Sequence, residues 1–316
     1  METKKRLGYI DAVKGFGIIL VVYAHIISGL SSYVIYLFHM PLFFIVSGIL
    51  FKEPNDKNKF IVGKVKSLIV PYFSYSILLF VVFSSYNIMR DGYDSKLMIK
   101  QLIKMVYGGQ VMTGWFGVFW FIPVMFFTLI VLMLISEKLR VAKDKWLLAF
   151  ILLMCSYVLS WLVKFPIPLN ANVVLYAVPL AMVGLFYKEC NVRLLFFIVV
   201  SIVLLFIAIA YQKIFMFDMK TSLYGVPFVS FIINIVFSVV VIELFKRLDG
   251  NYIKPLEIIG KASLTIMFVH QMFHFILAEY MREGIAMFMI TLILSIITHE
   301  IFTRIALTRV LFLGGR

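Results

Sequence analysis

Apolar runs long enough to cross a bilayer recur along almost the whole chain, broken by short polar, Gly- or Pro-containing clusters. The pattern predicts about ten membrane-spanning helices, near 13–31, 34–51, 67–89, 115–136, 146–163, 172–187, 194–214, 223–245, 259–280 and 285–308. A helix rises about 1.5 Å per residue, so roughly 20 apolar residues cross the hydrocarbon core. One segment departs from this pattern. In DGYDSKLMIKQLIKMVYGG, Lys96, Lys100 and Lys104 recur every four residues, with Leu97, Met98, Leu102, Ile103 and Val106 on the other side. That spacing predicts a helix lying in the outer interface, either a surface anchor or a lid over an outward-facing site.

Composition sharpens the class. Of 316 residues, 63% are hydrophobic and 15% charged, against about half and a quarter in soluble domains. The chain therefore reads as an all-α, polytopic integral membrane protein, one domain over residues 1–316, with no soluble domain at either end. With the N-terminus in the cytoplasm, 22 Lys and Arg fall on the inner side and 8 on the outer. That bias places both termini inside. The inner loop 52–66 alone holds Lys52, Lys57, Lys59, Lys64 and Lys66. Topology and contact with anionic membrane lipids account for the net charge of +14, and no nucleic acid is required. Lys4-Lys5-Arg6 precedes an apolar run too long for a secretory signal and reads as the flank of an uncleaved first span. Cys155 and Cys190 form neither a disulfide framework nor a zinc motif, and read as small packing residues.

Candidate chemistry begins on the first span. From Val13 to Leu30 the side chains that can carry charge near neutral pH are Lys14 and His25, eleven residues apart. Eleven residues are almost three helical turns, which puts both on one face and separates them by roughly 16 Å. Asp11, Lys14, Ile18, Val22 and His25 form a stripe at steps of three and four. Asp11 lies roughly 21 Å from His25 along the axis, too far to orient it, but reaches Lys14. Gly15 and Gly17 permit close approach of a helix or a ligand. Ionisable groups inside a membrane helix are costly unless paired or functional.

His39 lies about six residues into the second span, at a depth similar to that of His25. His270 sits near the middle of the ninth span with His274 one turn on, and His299 and Glu300 lie in the inner half of the tenth. His270-x-x-x-His274 has zinc-ligand spacing, yet no glutamate follows His270 and no third ligand is marked, so no metal is expected. Trp115, Trp120 and Tyr72 could stack on a sugar or anchor the interface.

The run D-x-x-K-G-x-x-I-x-L-V-x-x-x-H from Asp11 to His25, followed by F-x-M-P-L-F-F-x-x-S-G, resembles the membrane-bound acyltransferase-3 family. WFGVFWFIPVMFF (115–127) and IGKASLTIMFVHQ (259–271) agree with it. The nearest branch is similar to stand-alone sugar O-acetyltransferases typified by fucose 4-O-acetylase. The resemblance implies transfer of an acetyl group from cytoplasmic acetyl-CoA to a hydroxyl of a cell-envelope carbohydrate, a polysaccharide or lipid-linked sugar, in a bacterial cytoplasmic membrane. It implies that the basic residue and the histidine eleven positions later, here Lys14 and His25, are essential. Two departures stand out. Lysine replaces the frequent arginine at 14, and Lys64-x-Lys66 stands where paired arginines often precede the third span.

These readings combine into expected roles. Lys14, steadied by Asp11, with Lys64 and Lys66, would hold the phosphates of acetyl-CoA at the inner mouth. The thioester would reach the depth of His25, because the pantetheine arm is comparable in length to the Lys14–His25 separation. His25 would act as general base or carry a covalent acetyl group, and His39 would orient it or bind the thioester oxygen. Trp115, Trp120 and His270 would contact the acceptor. The rival reading is a secondary transporter with intramembrane histidines. Against it, central acidic residues are few, and the two halves show no matching pair of broken spans.

Overall fold

The structure, a computed structural model, describes residues 8–138, 142–248 and 250–315. Lys4-Lys5-Arg6 lies outside the described residues. The helices are α1 (Gly8–Ile26), α2 (Leu30–Tyr36), α3 (His39–Leu50), α4 (Lys57–Lys64), α5 (Val70–Asp91), α6 (Ser95–Tyr107) and α7 (Phe121–Lys138). They continue as α8 (Ala142–Leu162), α9 (Val174–Tyr187), α10 (Leu194–Ala210), α11 (Val229–Arg247), α12 (Gly250–Leu277), α13 (Ile285–Arg304) and α14 (Ala306–Leu313). A two-stranded hairpin, β1 (Phe217–Asp218) and β2 (Leu223–Tyr224), precedes α11 with Phe217 opposite Tyr224.

This is an all-α polytopic membrane protein. Among the described residues, eight segments are long and apolar enough to cross a bilayer. The other two expected spans are also helical: α10 is apolar but only 17 residues long, and α12 runs for 28. Several expected boundaries move. The first helix starts and stops five residues early, because Gly29 at φ 111° turns the chain and Ser32 Oγ donates to the Ile27 carbonyl. The second span is two helices, broken at Leu37–Phe38. The third begins at Lys57 and contains a wide π turn at Val65–Ile69, just before Pro71.

Two crossings hold the bundle. On α1 and α12, Gly15 and Gly260 lie back to back: a Cβ on Gly15 would strike the Leu256 carbonyl oxygen, and one on Gly260 that of Asp11. On α3 and α9, Gly48 and Gly184 repeat the device against the carbonyls of Ala181 and Ile45. Lipid tails are as apolar as leucine, so helices in a bilayer associate through close packing, and glycine brings the backbones together.

Two expectations change. Cys155 and Cys190 are free and exposed, not packed inside. Helix α6 forms as expected, with the Asp94 side chain accepting from the Lys96 and Leu97 amides. It packs through Met98 and Gln101, however, and leaves Ile99, Ile103 and Val106 exposed.

Gly260→Leu and Gly48→Leu should each lower stability by about 1–3 kcal/mol or more through overpacking. Gly63→Ala, where an added Cβ meets nothing within 4 Å, should not. Thermal midpoints in lipid nanodiscs check this; equal midpoints for all three would refute the crossings.

Candidate active site

A cavity of about 640 Å³ runs along α1 inside the bundle. One end lies toward the lysine-rich 52–66 segment (the basic end) and is lined by Lys14 with Ser67 and Leu68 of the π turn. The far end is lined by His25, Tyr36, His39 and Gln271. Between them, Ile18 and Val21 of α1 face Phe43, Phe121, Leu264 and Met267, which makes the middle mostly apolar, with Ser263 as a polar group on it. Lys14 and His25 thus share one cavity, roughly 16 Å apart along a single helix.

Each group is held by its own local structure. Lys14 Nζ pairs with Asp11 Oδ1 at 2.6 Å, one turn earlier, while Asp11 itself is buried and off the cavity wall. His39 is the first residue of α3, placed there by the break in the second span. Pro41 has no amide to offer the carbonyl four residues back, which belongs to Leu37. That carbonyl accepts instead from Asn234 Nδ2 of α11, and Asn234 Oδ1 accepts from Tyr176 Oη at 2.7 Å. With the turn fixed, His39 Nδ1 donates to the Ile35 carbonyl at 2.9 Å.

The far end gathers a histidine cluster. The His25 ring stands 5.4 Å from His270, tilted by 32°, and 6.3 Å from Tyr36, edge-on. Tyr36 in turn meets His39 edge-on at 5.0 Å. His270 is fully buried behind His25, with Nδ1 donating to the Ile266 carbonyl at 2.8 Å. A carbonyl only accepts, so Nδ1 carries the proton in His39 and His270, and each neutral ring keeps Nε2 as an acceptor. His270 Nε2 has no partner among the described residues.

Three loops roof this end. Asn170, in the left-handed region at φ 55° and buried, accepts from the Gln110 amide at 2.6 Å and donates to the Lys220 carbonyl at 2.8 Å. Asn172 donates to Ser222 Oγ at 2.7 Å. Lys220 Nζ donates to the Met112 carbonyl at 2.7 Å, and Asp218 accepts from the Lys220 amide and from Thr221 Oγ1. Tyr224 stacks on Tyr176 at 4.2 Å, which ties the hairpin to the Asn234 chain. Burial holds the Lys220 ammonium below its usual range, with Asp218 opposing and Lys104 adding to the shift. Gln110, Thr113, Asp218, Lys220 and Thr221 of this roof line the cavity.

Placement of the expected residues is mixed. Lys14, His25, His39 and Trp120 line the cavity. Lys64 just precedes the π turn and Lys66 lies within it, near the basic end of the cavity, but neither lines it; Lys64 Nζ lies 5.1 Å over the Phe60 ring. His270 does not line the cavity; its ring lies beside that of His25. Trp115 packs on Phe83 and Tyr86, and Tyr72 reaches Met112 Sδ at 3.8 Å; neither lines the cavity. His299 meets Thr265 Oγ1 at 3.0 Å, within a chain that includes Tyr75. Among the described residues no group of three or more metal-ligating side chains forms. The sequence reading missed Tyr36, Gln271, Asp218 and Lys220. A signal for the last two exists: Phe215, Phe217 and Met219 alternate with Met216, Asp218 and Lys220, the period of a strand.

A family model described as an acyltransferase domain, the third of that name, matches residues 7–300. No curated protein and no solved structure matches the chain.

Asn234→Leu should cost about 1–3 kcal/mol, because it leaves the Leu37 carbonyl and the Tyr176 hydroxyl buried without their partner. Thermal unfolding in nanodiscs measures this. An unchanged midpoint would show that the break does not depend on Asn234.

Proposed function

As a member of the acyltransferase-3 family and a multi-pass membrane acyltransferase, the chain, we propose, moves an acetyl group from cytoplasmic acetyl-CoA to a hydroxyl of a cell-envelope carbohydrate. The observation that carries this reading is the single cavity that joins Lys14 to His25 and ends in a histidine cluster. The basic end faces the cytoplasm of a bacterial inner membrane, in keeping with its lysine excess. There Lys14, steadied by Asp11, Lys64 just before the π turn and Lys66 within it attract the phosphates of the donor. The reading belongs with the sugar O-acetyltransferases of the fucose 4-O-acetylase type.

At the far end His25 takes the proton from the acceptor hydroxyl as that oxygen bonds to the acetyl carbonyl carbon. The carbon–sulfur bond then breaks, and the leaving thiolate recovers the proton from His25. His270 packs its ring 5.4 Å from that of His25, and its Nδ1 bond to the Ile266 carbonyl fixes its own orientation behind the base. His39 orients the thioester from across Tyr36. A base positioned in this way contributes about 10²–10⁴-fold to the rate. Lys14 binds the donor equally in ground and transition states, so it acts on KM.

Purified protein in nanodiscs, given radiolabelled acetyl-CoA and a panel of envelope glycans, should label a glycan. His25→Ala should lower kcat by about 10²–10⁴-fold, while Lys14→Ala should mainly raise the KM for acetyl-CoA. Folded wild type that neither binds acetyl-CoA nor moves its label would sink the reading and direct attention to transport in sealed vesicles.

A further inference from the structure

The roof over the His25 end has a role of its own. It is assembled from residues 109–117, 167–173 and 217–224, which are stitched together by Asn170, Asn172 and Lys220. The left-handed backbone of Asn170 is sterically strained for a residue other than glycine, and surrounding structure must hold it there. Gly109, at φ 68°, faces it so closely that a Cβ would meet Asn170 at 2.6 Å. The result is a fixed set of polar groups opposite the histidine cluster.

We propose that this roof is the acceptor subsite, and that it takes a neutral polyhydroxylated molecule, a saccharide, in preference to an acidic glycan or a fatty alcohol. The proposal rests on the acyltransferase reading above and specifies its acceptor end. Each Asp218 oxygen has one accepting direction engaged, by the Lys220 amide or by Thr221, and a second that is free for a substrate hydroxyl. Lys220 Nζ carries three protons and donates one to Met112, which leaves donors for sugar oxygens. The side-chain amides of Gln110 and Gln271 add both donors and acceptors, and Trp120 offers an apolar face on the same wall. Such a mixture suits hydroxyls, which donate and accept at once. Charge argues against an acid. On the wall Asp218 balances Lys220, and Lys104 binds Thr113 from outside the lining. A fatty alcohol would fill this end with hydrocarbon and strand buried polar groups.

The test uses the full chain in lipid nanodiscs, free of glycoside detergent, with radiolabelled acetyl-CoA. Three acceptor probes share one alkyl chain: octyl β-glucoside, octyl β-glucuronide and 1-octanol. Wild type should acetylate the glucoside with a kcat/KM at least tenfold above either of the others. Asp218→Asn, in which Oδ1 can still accept the Lys220 amide, should raise the glucoside KM at least tenfold with a smaller change in kcat. Thr221→Val, at an exposed position, should do so to a lesser degree, and it keeps the test open should the first variant fold poorly. Preference for glucuronide or octanol, a glucoside KM unmoved in both variants, or donor hydrolysis without transfer to any probe would overturn the proposal. If wild type does not even hydrolyse acetyl-CoA, the acyltransferase reading fails first, and this proposal falls with it.

Discussion

A single carbonyl decides where the chemistry can sit. Pro41 deprives Leu37 of its helical partner, and a bare carbonyl at membrane depth costs several kcal/mol. Asn234 answers it from α11, and the same side chain receives the Tyr176 hydroxyl. Tyr176 is the stacking platform for Tyr224 of the hairpin. One missing N–H therefore organises a chain of contacts from the second span, through two helices, to the roof. His39 starts its helix where it does because the helix before it had to stop.

The helix that carries His25 is fixed differently. Gly15 lets α1 and α12 touch backbone to backbone, which sets the depth of His25 against His270. Asp11, on the same turn as the crossing, keeps Lys14 at the mouth. Packing and electrostatics thus act on one stretch of sequence: glycine closes one face of α1, and the ion pair opens another toward the cavity. The π turn at Val65–Ile69 lends Ser67 and Leu68 to the cavity that Lys14 also lines, and Gly314 of the C-terminal segment packs on it at Ser67.

Much of this was legible in the sequence, because membrane helices are written in long apolar runs and intramembrane charges are rare. Lys14, His25 and His39 announced themselves by their cost. The stripe between them was drawn one residue off. At about 100° per residue, a step of seven from Lys14 returns almost to the starting face, so Val21 lines the cavity and Val22 points aside. The roof was hidden for another reason. Strands of two residues carry too little periodicity to stand out, and Asn170 acts on positions 50 to 60 residues away. Trp115 misled because an aromatic near a membrane surface packs on other aromatics as readily as on a ligand. Membrane histidines look alike in sequence, and only the fold separated His270, behind His25, from the wall itself.

The apolar middle of the cavity matters to the cell as well as to the reaction. A passage with an ammonium at one end and imidazoles at the other is a potential short circuit for protons across an energised membrane. Ile18, Val21, Phe43, Phe121 and Met267 interrupt it with a collar of carbon that water wets poorly. Ser263 is a polar group on that stretch, and the carbon around it gives a file of water molecules few partners. The protein can keep a hollow, histidine-bearing interior and still insulate.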